Sequence, residues 1–232
     1  MRALLRPLKN PAAWRTCSVL RAMNLLGAIP ALTARCVWGT PFVLSVGADY
    51  RAIATIHGRS QRHLAKWAWL ERVALRLAAA VLVSNPLLAA RLQAKHPTAR
   101  IIAHGNWVDP TLFCPADISA PAGQNPGPIL YVGRLVKEKN LLPLATIAWV
   151  TPRWKVRLVG EGPLGEGFRR LRCEVPGPVP WERLPDEYRA AGVFCLPSLS
   201  EGNPKALLEA MACGAPVVVS DRVEGVVRHG ET

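Results

Sequence analysis

Apolar residues recur along the chain in two rhythms. Short unbroken runs alternate with stretches whose apolar positions return every third or fourth residue. "PFVLSV" (41–46), "AVLVS" (80–84) and "ARIIAHG" (99–105) are runs of the first kind and predict buried strands. Residues 60–79 follow the second rhythm, with Leu64, Trp67, Leu70, Val73 and Leu77 on one helical face. Pro86 suits a helix start, and the following residues continue a helix to about Lys95. Residues 16–36, "TCSVLRAMNLLGAIPALTARC", predict a mostly apolar helix, bent or interrupted near Gly27–Pro30.

The stretch "CPADISAPAGQNPGP" (114–128) is dense in proline, glycine and small residues and predicts a linker. The alternation then restarts. Strands are predicted at "ILYVG" (129–133), "KVRLVG" (155–160), "GVFCLPS" (192–198) and "PVVVS" (216–220). Helices are predicted at about 139–149, over "GEGFRRLRCE" (165–174), at 184–191 and at 205–213. Strands alternating with helices predict parallel sheets covered on both faces, an α/β architecture in two series. A cleft between two such series is a common place for a ligand. The division is residues 1–113, a linker over 114–128, and residues 129–232.

Composition narrows the partners. The chain has 232 residues and is half hydrophobic, enough for a substantial core. Its net charge of +13 is lopsided. Residues 1–120 hold 15 Lys/Arg and 4 Asp/Glu, a net of +11, against 14 and 12, a net of +2, in residues 121–232. A basic first half suits an anionic partner: a membrane surface, a nucleic acid or a phosphorylated substrate. Arginine richness also follows from genome composition alone. No aromatic–basic recognition motif accompanies the charge, so nucleic acid is not expected as a partner. The six cysteines form no CxxC pair and have no histidine cluster at zinc spacing, so no metal site is expected. They fit a reduced cytoplasmic protein, with Cys195 and Cys213 as small buried hydrophobes. No uninterrupted apolar stretch reaches membrane-spanning length, and the basic start lacks a secretory core and cleavage site.

Three stretches carry chemistry. In "YVGRLVKEKN" (131–140) a strand ends at Gly133, and Arg134 and Lys139 follow. Cations beyond a strand's carboxyl end suit a phosphate or diphosphate; they are equally two solvated side chains on a loop. "LVGEGPL" (158–164) ends a strand in Gly160-Glu161-Gly162, where glycines permit close backbone approach. It is not the dinucleotide fingerprint. In "SEGNPKALLEAMACG" (200–214) the loop carries Glu201, Gly202 and Asn203, with Asn203 as N-cap, Pro204 as first helical residue and Gly214 as the stop. Glu201 stands at the loop and Glu209 in the second helical turn, with seven residues between them. A partly buried Glu209 needs donors, and vicinal ribose hydroxyls are one good set. The alternatives are a capping role for Glu201 and a solvated face for Glu209.

"YVGRLVKEKN", "RLVGEGPL", "LPDEYRAAGVFCLPSLSEGNPKALLEAMACGAPVVVS" and "GVVRHGET" together resemble the donor half of glycosyltransferase family 4, also called glycosyltransferase group 1. A weaker likeness covers 37–113, through "GTPFVLSV", "ERVALRLAAAVLVSNPLLAARL" and "GNWVDPTLFCP". The resemblance implies a GT-B fold: two Rossmann-like, doubly wound domains facing a cleft, both incomplete here. Residues 1–113 would be a partial acceptor-side domain and 129–232 the nucleotide-sugar domain, with the chain truncated at both ends. It implies a metal-independent, retaining transfer of a hexose-type sugar, without a cofactor, to a glycan or lipid-linked acceptor. Arg134 and Lys139 would bind the diphosphate, Glu201 the donor sugar and Glu209 the ribose. Gly133, Gly202, Asn203, Pro204 and Lys205 would line the donor pocket, and the loop 179–184 would hold the base. Arg134, Lys139 and Glu201 are the expected catalytic residues. The alternative is a fragment or partner subunit that binds the nucleotide sugar without turnover. A peripheral contact with an anionic inner membrane face is a further expectation.

Overall fold

The computed structural model describes residues 11–116, 127–223 and 226–227. The predicted linker therefore lies largely outside the described residues, as does most of "GVVRHGET". The chain divides into two compact units, the second spanning Asn106–Val223; the first holds the described residues up to Gly105 and also 226–227, which the expected division had put with 129–232. Residues 106–116 thus group with the second unit.

The first unit begins with helix α1 (Pro11–Arg15), strand β1 (Leu20–Met23) and helix α2 (Asn24–Trp38). Strand β2 (Phe42–Val46), helices α3 (Tyr50–Ile56) and α4 (Gln61–Leu77), strand β3 (Ala80–Val83), helix α5 (Pro86–Lys95) and strand β4 (Ile101–Ala103) follow. The sheet runs β1-β2-β3-β4, every pair parallel. Its core is Leu25, Ala28 and Ala31 of α2 and Ala74 and Leu75 of α4, packed on Phe42, Leu44, Val81 and Val83. Asn85 starts α5 as expected of a polar residue before a proline, accepting the Leu87 and Leu88 amides at 2.8 and 3.0 Å.

The single helix expected over 16–36 is instead a strand and a helix. Asn24 sits at φ 65° and its side chain accepts the Leu26 and Gly27 amides at 3.0 and 3.1 Å. That turn ends β1 and caps α2, and an asparagine tolerates the left-handed region that does it. The helix then runs on through Pro30 without interruption.

The second unit holds β5 (Ile129–Val132), a 3₁₀ turn (Lys137–Lys139), α6 (Leu142–Val150), β6 (Val156–Val159), α7 (Gly165–Arg170) and β7 (Glu174–Gly177). A second 3₁₀ turn (Trp181–Arg183), α8 (Leu184–Arg189), β8 (Val193–Leu196), α9 (Lys205–Ala212) and β9 (Val217–Val219) complete it. The helix expected over 165–174 stops at Arg170, and β7 begins at Glu174. Arg172, at φ 64°, reverses the chain between them.

The parallel sheet of this unit runs β7-β6-β5-β8-β9. The chain winds outward from β5 to β7, returns, and winds outward again from β8 to β9. This is a Rossmann-like, doubly wound order, and its direction reverses between β5 and β8. Loops leaving the carboxyl ends of strands at such a reversal diverge and leave a crevice.

Candidate donor site

The two loops that leave this switch point are 133–140, after β5, and 197–204, after β8. They are stitched together by the backbone and by one side-chain amide. The Leu199 amide donates to the Glu138 carbonyl at 2.9 Å, and Asn140 Nδ2 donates to the Pro197 carbonyl at 3.2 Å. Asn140 reaches it from a left-handed backbone (φ 49°) that ends the 3₁₀ turn.

That stitching brings Lys139 and Glu201 together across 62 residues. Lys139 Nζ donates to Glu201 Oε1, and Ser198 Oγ donates to the same oxygen at 2.9 Å. Both side chains of the ion pair are largely buried. Glu201 also forms an isolated parallel bridge with Val223. Arg134 is placed differently: its side chain is 72% exposed, with Nη2 3.4 Å from Glu138 Oε1. The carbonyl of Arg134 accepts the Tyr131 hydroxyl at 2.9 Å. Burial, together with the charges of Glu201 and Glu138, pushes the Tyr131 phenol far up.

A third strand-end loop supports the first. The Leu135 amide donates to the Glu161 carbonyl at 2.8 Å, and the Leu164 amide to the Leu135 carbonyl at 3.2 Å. A Cβ on Gly160 (φ +130°) would strike the Gly133 carbonyl, and one on Gly162 (φ +157°) the Leu135 carbonyl. The glycines of "GEG" therefore let two loops pack backbone to backbone.

Glu209 lies on α9 and is buried, which removes the solvated-face alternative. Its Oε2 accepts the hydroxyl of Tyr188, a fully buried residue on α8, at 2.8 Å. Burial first, then the Glu209 charge and this bond, hold the Tyr188 phenol far above its ordinary value. Ring contacts with Phe113 and Phe194 fix the tyrosine.

The start of α9 differs from expectation. Pro204, not Asn203, takes the N-cap position, and its carbonyl accepts the Leu207 amide at 3.2 Å. The reason is a tertiary bond: the Asn203 carbonyl accepts Asn106 Nδ2, which fixes the chain one residue before the cap. Gly202 is buried beside it. Lys205 is exposed, its Nζ 5.3 Å from the centre of the Trp107 ring. Gly214, at φ 76°, closes the helix, with its amide on the Met211 carbonyl at 3.0 Å.

Lys139, Glu201 and the entrance to α9 thus meet at the loops of the switch point. The structure adds four residues that sequence reasoning passed over: Tyr188, Ser198, Asn140 and Asn106. A buried Glu209 demands a donor, and that demand was the one available signal for Tyr188.

This constellation defines a class: a doubly wound half whose switch-point loops carry a cation–carboxylate pair. The profile of the family described as "Glycosyl transferases group 1" matches residues 127–232. TuaC of Bacillus subtilis, named as a teichuronic acid biosynthesis glycosyltransferase, is 39% identical over 93 residues, covering 40% of this chain and 24% of that protein. A D-inositol 3-phosphate glycosyltransferase of Rhodococcus erythropolis is 34% identical over 160 residues, 57% of this chain and 35% of that protein. The chain therefore spans about a quarter to a third of these relatives.

Among solved structures, sucrose-phosphate synthase of Thermosynechococcus elongatus superposes with TM-score 0.74 at 21% identity, covering 93% of this chain and 59% of that one. Anabaena HepE in complex with UDP and glucose gives 0.73 at 19%, covering 96% and 65%. These neighbours are GT-B glycosyltransferases, and both sheets described above are of that fold.

Proposed function

We propose that the chain takes part in moving a hexose-type sugar from a nucleotide-sugar donor to a glycan or lipid-linked acceptor, with retention of configuration and without a metal. The single observation behind this reading is the Lys139–Glu201 pair at the switch point of residues 106–223. Lys139 and the exposed Arg134 take the diphosphate and offset the charge of the departing nucleoside diphosphate. Lys139 has three donor hydrogens, so it keeps Glu201 while it binds a phosphate oxygen. Glu201, oriented by Ser198 and Lys139, faces the donor-sugar hydroxyls. Glu209, with one oxygen on Tyr188, offers the other to the ribose. The backbone at Gly133 and at Gly202–Lys205 lines the sugar and phosphates, and the loop 179–184 the base. Retention follows from attack on the face the leaving group departs, with the leaving phosphate taking the acceptor proton.

Anabaena HepE has been solved with UDP and with UDP-glucose, which supports a nucleotide-sugar partner here. Among the described residues no helix is long and apolar enough to cross a membrane. The reading places the reaction on the cytoplasmic side, at a membrane face where lipid-linked acceptors lie.

Calorimetry with a panel of nucleoside diphosphates tests the assignment. Arg134→Ala and Lys139→Ala should each weaken the best binder by about 1.5–3 kcal/mol, the scale of a charge-assisted hydrogen bond. Unchanged affinity in both variants removes the phosphate role. Binding without glycosyl transfer or donor hydrolysis is the outcome expected of the alternative, a donor-binding fragment or partner subunit.

A further inference from the structure

The first unit carries a surface that the donor chemistry does not use. Helices α2 and α4 lie side by side and leave a groove of about 590 Å³ between them. Ile29, Leu32 and Val37 line it from α2, and Trp69, Val73 and Leu77 from α4. Trp69 is 63% exposed, Val37 52% and Leu26, at the start of α2, 57%. Single exposed apolar residues are ordinary, but a contiguous apolar groove marks an interaction surface.

The charges around it have one sign. Lys66 lines it from α4, and Arg62, one turn earlier on the same helix, is exposed. Glu71, the one acidic residue of these two helices, is turned away onto His96, 3.6 Å from its Nε2. On the other side of α4, Arg72, Arg76, Lys95, His96 and Thr98 line a second hollow of about 580 Å³. An exposed indole lining an apolar groove, on a helix with long basic side chains along both flanks, is the pattern of a helix lying in a membrane interface. The indole takes the headgroup level, and the basic stems extend their charges to lipid phosphates.

We infer that the α2–α4 face docks on the headgroup layer of an anionic phospholipid bilayer. This rests on the reading of the chain as a transferase that works beside a membrane. Charge decides between occupants. A second copy laid face to face would bring the α4 cations against their own like. A nucleic acid would meet the cations but leave the apolar groove unfilled. An anionic bilayer supplies both the negative charge and the apolar layer.

Sedimentation of the full chain with phospholipid vesicles tests this. Vesicles with about 30 mol % phosphatidylglycerol should bind it, and pure phosphatidylcholine should not. Reversing the two charges on the groove side of α4, Arg62→Glu/Lys66→Glu, should weaken binding at least about tenfold. The same charge change on the second unit, Arg153→Glu/Lys155→Glu, should leave it within about twofold. Trp69→Ser, which keeps every charge, should weaken it about fivefold. Circular dichroism and nucleoside diphosphate binding are measured on each variant, so misfolding and a failed donor assignment are read separately. Equal losses in the two charge-reversed variants would mean diffuse attraction by net charge and overturn the proposal. So would a concentration-dependent dimer that Trp69→Ser dissociates while vesicle binding stays unchanged.

Discussion

Glu209 would be costly in its buried position without a donor, because a carboxylate stripped of water loses several kcal/mol of solvation. Tyr188 supplies that donor from the neighbouring helix, at 2.8 Å. Tyr188→Phe keeps the ring contacts and removes only the hydroxyl, so the change isolates the bond. It should lower the unfolding free energy by about 1–3 kcal/mol, the cost of leaving a buried acceptor unsatisfied. Urea titration of the two proteins checks this, and equal midpoints would show that the bond contributes nothing. Lys139 and Glu201 are a second pair of this kind. Each stood out alone in the sequence, as a cation after one strand and a carboxylate after another. Their contact was not legible, because it depends on β5 and β8 being sheet neighbours.

At the scale of elements, the strands announced themselves where a short apolar run was bounded by turn residues. β2, β3, β5, β6, β8 and β9 fall inside their predicted runs, and α5 spans the residues expected of it. The two missed strands share a cause. β1 and β7 are half-solvated edge strands that lack the unbroken apolar run of β4 and β9, also at edges, and their alternation is too short to separate from a neighbouring helix. β1 was absorbed into the apolar helix of α2 because the boundary is one residue, Asn24, whose left-handed backbone the hydrophobic pattern does not record. The start of α9 failed for a tertiary reason. Local chemistry favours Asn203 as a cap, and Asn106, 97 residues away, holds its carbonyl instead. The glycine loops did better: close backbone approach was legible in Gly160 and Gly162. The partners, Gly133 and Leu135, required the sheet order.

For the molecule as a whole, the three tyrosines give a common signature. Tyr50, Tyr131 and Tyr188 all have phenols held above the ordinary value, chiefly by burial. A phenol whose folded value exceeds the unfolded one, about 10, contributes stability that is whole below that pH. The contribution is lost as pH rises through the folded values. Stability should therefore hold to about pH 9 and fall above about 10. Tyrosinate absorbance should appear together with unfolding, and a full tyrosinate signal in the folded protein at pH 10 would contradict the burial of these rings.

The central claim is that residues 106–223 grip a nucleoside diphosphate, with Glu209 on its ribose. The most direct test is calorimetry of Glu209→Gln against a nucleoside diphosphate and its 2′,3′-dideoxy analogue. The wild type should prefer the ribonucleotide by about tenfold, and the substitution should erase most of that preference while barely changing affinity for the analogue. Equal losses for both ligands, or no wild-type preference at all, would contradict it.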